Sequence, residues 1–179
     1  MPRNLTTHIV ALRLLITGVL LAAAHSAQAQ YQVQTVALSV GPTLPRADLA
    51  DTLRSGINVT GSVGFHFGES FTLRGEGMYQ QLGRKLSTPP SNNQMVLVGG
   101  AAEIGFLGAK GPYVLGGYGF YQTLKSGSVP ASAWRRGYSF GGGWRLAFER
   151  LSLFGEARLH RVHGERAPVM LPISFGIRI

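Results

Sequence analysis

Seven charged residues stand where they could pair. Arg74 and Glu76 are two apart, as are Glu156 and Arg158, while Glu103, Arg145 and Arg178 are isolated among apolar or glycine-rich neighbours. In an extended chain, residues two apart share a face. Each doublet would then set a guanidinium beside a carboxylate. Four arginines against three glutamates is the makeup of an interior ion-pair network, since unpaired buried charge is costly. Other chemistry finds less support. The histidines are His8, His25, His66, His160 and His163, and none lies in an HExxH or similar metal-ligand spacing. No metal and no cofactor is expected. His66 and His160 share a face with the charged residues and are read as polar filling. The absence of cysteine removes a thiol nucleophile and any cysteine-ligated metal. The glycine run GGYGF has no helix after it to supply an anion-binding N-terminus. Asn58-Val59-Thr60 fits a glycosylation triplet but sits in mid-strand and is set aside. A Ser-His-acid site stays open by residue type alone.

A second basic group is not paired with acids. Arg46, Arg54, Arg84, Lys85, Lys125, Arg135, Arg136, Arg161 and Arg166 have only Asp48, Asp51 and Glu165 as acidic company. Arginine grips phosphate through two parallel hydrogen bonds. With 17 Lys+Arg against 8 Asp+Glu the chain is strongly basic. A basic chain suits nucleic acid, but the N-terminus points to export. Arg3 and Arg13 flank a basic start, Leu14 to Ala24 is apolar, and Ala27-Gln28-Ala29 has a small-x-small pattern. That reads as a secretory signal peptide over 1–29, leaving 30–179 as the mature domain. The expected partner of the basic rim is therefore lipopolysaccharide and not nucleic acid.

The elements that must position these residues are strands. Period-two alternation recurs at Gln32 to Val40, Gly56 to Phe67, Phe71 to Leu82, Met95 to Leu107, Tyr113 to Leu124, Arg136 to Phe148, Leu151 to Val162 and Val169 to Ile179. No convincing amphipathic helix intervenes. The connections alternate in length. Pro42 to Ser55, Gly83 to Gln94 and Lys125 to Arg135 are long, and Gly68 to Ser70, Gly108 to Pro112 and Glu149-Arg150 are short. His163 to Pro168 is of medium length. All long loops thus fall at one end. Tilted transmembrane strands need roughly 9 to 11 residues, and an even number of such strands describes a transmembrane β-barrel. The fold expected is an all-β, eight-stranded antiparallel up-and-down barrel, with the last strand closing on the first.

Facing follows from charge. Arg74, Glu76, Glu103, Arg145, Glu156, Arg158, His160 and Arg178 lie on one face, and the other is almost free of charge at the strand centres. Aromatics gather near strand ends. Phe65, Phe67, Phe71, Phe106, Tyr113 and Phe148 adjoin the short turns, and Tyr79, Tyr121, Trp134 and Tyr138 adjoin the long loops. These would form two interfacial girdles. An apolar face in lipid then leaves the charges to fill a lumen just wide enough for side chains. Gly64, Gly141, Gly143 and Gly176 on that face would make room for long Arg and Glu side chains. The facing of the fifth strand is ambiguous.

The signal peptide, the eight alternating strands, the hairpin GPYVLGGYGFYQ and the terminal LPISFGIRI together resemble the small OmpA/OmpX-type, opacity-like outer-membrane β-barrel family. The resemblance spans the mature chain and rests on patterns without a catalytic signature. It implies an integral, monomeric outer-membrane protein, not an enzyme, serving envelope integrity or surface interaction. No peptidoglycan-binding domain is expected after it. Family members usually end on an aromatic residue that the barrel-assembly machinery reads; Ile179 stands there, with Phe175 four residues earlier. Three alternatives remain: a small porin-like channel, an exported lipocalin-like binder and a lipid A-modifying enzyme.

Overall fold

The computed structural model describes residues 34–85, 92–107, 110–126, 132–164 and 168–179. The signal-peptide segment lies outside the described residues, as do Pro89, Pro90, Ser91, Gly127, Pro130, Glu165 and Arg166. The described chain is a closed barrel of eight antiparallel strands in sequential order. They are β1 Gln34–Arg46, β2 Leu53–Phe67, β3 Phe71–Arg84, β4 Asn92–Leu107, β5 Lys110–Ser126, β6 Arg135–Ala147, β7 Ser152–Val162 and β8 Val169–Arg178. β8 pairs with β1, with Phe175 opposite Val40 and Arg178 opposite Ala37. Ile179 and Val36 exchange both backbone hydrogen bonds at 2.9 Å. Among the described residues no strand edge is left bare, which is what a hydrocarbon surround demands.

Strand parity decides the two faces. Leu38, Val40, Ile57, Phe106, Phe140, Phe175 and Ile177 point outward and are exposed, while Arg74, Glu76, Glu103, Glu156 and Arg158 point inward and are buried. A water-soluble barrel has the reverse arrangement. The outer face is thus built for lipid.

Two expectations are corrected. Pro42 to Ser55 is not a long loop. β1 runs on to Arg46, with Pro42 opposite Ile57 and Pro45 opposite Met170. Only residues 47–52 connect it to β2, and they hold a short helix, Asp48–Thr52. Each proline lacks an N–H and removes at most one donor from the ladder, so strand pairing outweighs the turn preference. The neighbouring strands also start earlier or end later than alternation indicates, because pairing extends past the last apolar residue. Second, Tyr113 and Tyr121 do not belong to the girdles. Both point inward and are 2% exposed. Parity in β5 fixes this, with Tyr113, Leu115 and Tyr121 inside and Val114, Tyr118 and Phe120 outside. The turn after β2 is as tight as expected, and Gly68 takes a φ of 68° there, a conformation open to glycine without steric cost.

Candidate functional site

The lumen is stratified. Nearest the short turns, Glu103 on β4 gathers three guanidiniums. Arg178 donates through both Nη atoms, at 3.2 and 2.9 Å, Arg74 Nη1 donates at 3.1 Å, and Arg145 Nη2 donates to Oε1. One step deeper, Glu156 accepts from Arg74 Nη2 at 3.1 Å, from Arg158 Nε at 2.6 Å and from the Tyr113 hydroxyl at 2.9 Å. Arg158 also makes a bidentate pair with Glu76, both bonds at 2.7 Å. All seven sequence-chosen residues therefore belong to one connected network, which ties β3, β4, β6, β7 and β8 together. The guanidiniums are further held by rings: Arg145 lies over Tyr113 at 5.0 Å and Arg178 over Phe154 at 5.7 Å.

Glycine makes the space. A Cβ at Gly143 would sit 2.5 Å from Tyr113 Oη, and one at Gly141 would sit 2.9 Å from Arg158 Cγ. These inward positions can carry no side chain while the large neighbours keep their places. Across the seam, Asn58 on β2 donates to Thr43 Oγ1 of β1 at 3.2 Å and accepts from Ser174 Oγ of β8 at 2.8 Å. This neutral bridge supplements the closing ladder. His66 meets Thr72 Oγ1 at 2.8 Å.

Toward the long-loop end the lumen changes character. Leu53, Met78, Leu82, Met95, Leu97, Tyr121, Val162 and Met170 form one buried cluster, with Leu49 of the short helix packed on it. Between the two strata, a cavity of about 10 Å³ is bounded by Met78, Glu156, Arg158 and His160 among others. That is room for about one water. A recess of about 670 Å³ opens at the short-turn mouth, and its wall includes Arg145 and Arg178. Among the described residues, no three His, Asp or Glu are grouped as metal ligands.

The rim residues scatter. Arg54, Arg84 and Arg135 are exposed at the long-loop end. Lys85 Nζ donates to the Ala50 carbonyl at 2.5 Å and so anchors the loop between β1 and β2. The Lys125 side chain and Arg166 lie outside the described residues. Arg46, Arg54, Arg136 and Arg161 lie on the outward face, Arg54 on β2 opposite Gly83 and the other three grouped on the side of β6, β7 and β1. Tyr138 stands opposite Arg161, Arg161 opposite Val169, and Val169 opposite Arg46. That is one row across β6, β7, β8 and β1. Arg136 is the next outward residue above Tyr138, opposite Phe120. Tyr138 stacks edge-on with His163 at 5.7 Å.

Sequence reasoning missed Tyr113, Tyr121, Gln80 and the Asn58 bridge as parts of the interior. Asn58, Gln80 and the charged residues share inward parity, and that signal was readable. The tyrosines sat in the one strand whose parity was ambiguous.

Three comparisons place the chain. The model of the family described as outer membrane protein beta-barrel domain matches residues 15–162. No curated protein sequence matches. Among solved structures, Neisserial surface protein A (NspA) aligns at 14% identity and a TM-score of 0.60, over 82% of this chain and 95% of that one. OprG from Pseudomonas aeruginosa aligns at 10% identity and 0.46, over 83% and 97%. Ail of Yersinia pestis, solved with the heparin analogue sucrose octasulfate, aligns at 14% and 0.47, over 82% and 99%. At such identities the likeness to NspA is one of fold.

Proposed function

The chain belongs to the outer membrane protein beta-barrel domain family, and from that premise we propose a non-enzymatic surface barrel whose outward arginines hold lipopolysaccharide phosphates and so support envelope integrity. Its place is the bacterial outer membrane, and its interior is a buried salt-bridge network. The observation that carries the proposal is the outward row Tyr138–Arg161–Val169–Arg46, with Arg136 one step above. Strands in a sheet lie about 4.8 Å apart. Two strand steps thus separate Arg161 from Arg46, a span of roughly 10 Å by that spacing. Tyrosine beside them marks the depth where apolar chains give way to headgroups. Arginines aimed outward at that depth meet lipid phosphate, whereas rim arginines aimed at the loops meet water. No acid occupies the row.

The test is charge reversal of Arg46, Arg136 and Arg161 together to glutamate. Folded protein is reconstituted into vesicles with and without lipopolysaccharide. Wild type is expected to be enriched in lipopolysaccharide after extraction, and the triple variant to lose that enrichment. Equal enrichment of both would overturn the assignment. The loop-end residues Arg84 and Arg135, which have inward parity, serve as the contrast, with a smaller expected effect.

A further inference from the structure

The upper lumen contains every methionine of the chain beyond Met1, namely Met78, Met95 and Met170. Two of their sulfurs converge on one atom. Gln80 Nε2 lies 2.6 Å from Met170 Sδ and 3.5 Å from Met95 Sδ. Met170 stands opposite His160 in the β7–β8 ladder, both facing inward. Such a cross-strand pair brings Cβ atoms to about 5 Å. Met78 and His160 bound the same small cavity. Among the described residues, the buried polar atoms without a partner at this end include His160 Nε2 and Gln80 Oε1. The residues are 1% and 0% exposed.

From this placement we infer a binding site for a soft monovalent cation, of the Cu(I) and Ag(I) class, formed by the thioethers of Met78, Met95 and Met170 with His160 Nε2. Four points support it. Thioether and imidazole are soft, neutral ligands and select such ions over hard divalent ones. The carboxylate that borders the same small cavity, Glu156, is already engaged by Arg74 and Arg158, and Glu76 by Arg158, so neither is offered to a hard cation. Tyr121 Oη lies 2.9 Å from His160 Nδ1. With Nδ1–H donated to that hydroxyl, Nε2 presents its lone pair, which is the usual outer support of a metal-binding histidine. Finally, the unmatched guanidinium charge lies at Glu103, at the other end of the lumen. The layer next to the sulfurs pairs two arginines with two glutamates, so an added positive charge faces a neutral neighbour. The alternative occupant of the stratum is methionine as adaptable filler.

The experiment uses the purified, folded protein in detergent and Ag(I), a redox-inert probe. Wild type is expected to retain one Ag(I) per barrel through gel filtration. X-ray absorption should show a sulfur-rich shell with one nitrogen. A Met95→Leu/Met170→Leu variant keeps the volume and should lose the ion. Heat-modifiable gel migration reports whether it folds. If it does not, Met95→Leu and Met170→Leu singly should each remove one sulfur from the shell. No retained Ag(I) in wild type, or retention unchanged by the leucines, overturns the site.

Discussion

The two halves of one lumen are held in different ways. Toward the short turns, Arg74, Glu76, Glu103, Arg145, Glu156, Arg158 and Arg178 are joined by directional bonds, and each residue has fixed partners. Toward the long loops, leucine, valine, methionine and Tyr121 fill the same cross-section mainly by contact, with Gln80 and His160 as the neutral polar members. Both halves are lined by buried side chains. The charged half adds a directional constraint to the backbone ladder, because a guanidinium fork satisfies one carboxylate in one geometry. Packed methionine adapts to many shapes. The charged half should therefore be brittle and the sulfur half tolerant.

The sharpest way to break that contrast is Glu103→Ala. It leaves Arg74, Arg145 and Arg178 without their shared carboxylate, and removing one partner of a buried pair costs about 3–5 kcal/mol. Urea unfolding of the barrel in vesicles, followed by tryptophan emission or gel migration, should show that loss. Gly143→Ala comes next. The new methyl meets Tyr113, which hydrogen-bonds Glu156, and overpacking of this kind costs about 1–3 kcal/mol. In the sulfur half, Met95→Leu conserves volume and should cost less than about 1.5 kcal/mol. Arg136→Glu on the outward rim should change stability by no more than about 0.5 kcal/mol while weakening retention of lipopolysaccharide. If Met95→Leu proved as damaging as Glu103→Ala, the distinction between the halves would fail.

Much of this was legible in the sequence, and the limits were physical. The doublets Arg74/Glu76 and Glu156/Arg158 announce one face because side chains alternate strictly along a strand. That face also carries Glu103, Arg145 and Arg178, and the terminal strand reads as the seam. What alternation cannot supply is height. Whether Met78, Met95 and Met170 share a level depends on strand register, and register follows from turn lengths that sequence places only approximately. Tyr113 and Tyr121 were assigned to the girdles because β5 offers glycine and aromatics on both parities. Its turn-forming prolines misled in the first strand, where Pro42 and Pro45 continue pairing instead of ending it. The nine basic rim residues read as one group, yet the structure separates Arg46, Arg54, Arg136 and Arg161, which face outward, from Lys85, which is bound within the loop region.

The central claim is a lipid-embedded barrel whose lumen is closed by its own side chains. Planar-bilayer recording tests it most directly. Insertion would first be verified by heat-modifiable migration of the reconstituted protein. The inserted barrel should then give a flat trace at applied potentials of either sign. Stable, ohmic openings from protein shown to be inserted would contradict the closed lumen and make the molecule a small channel.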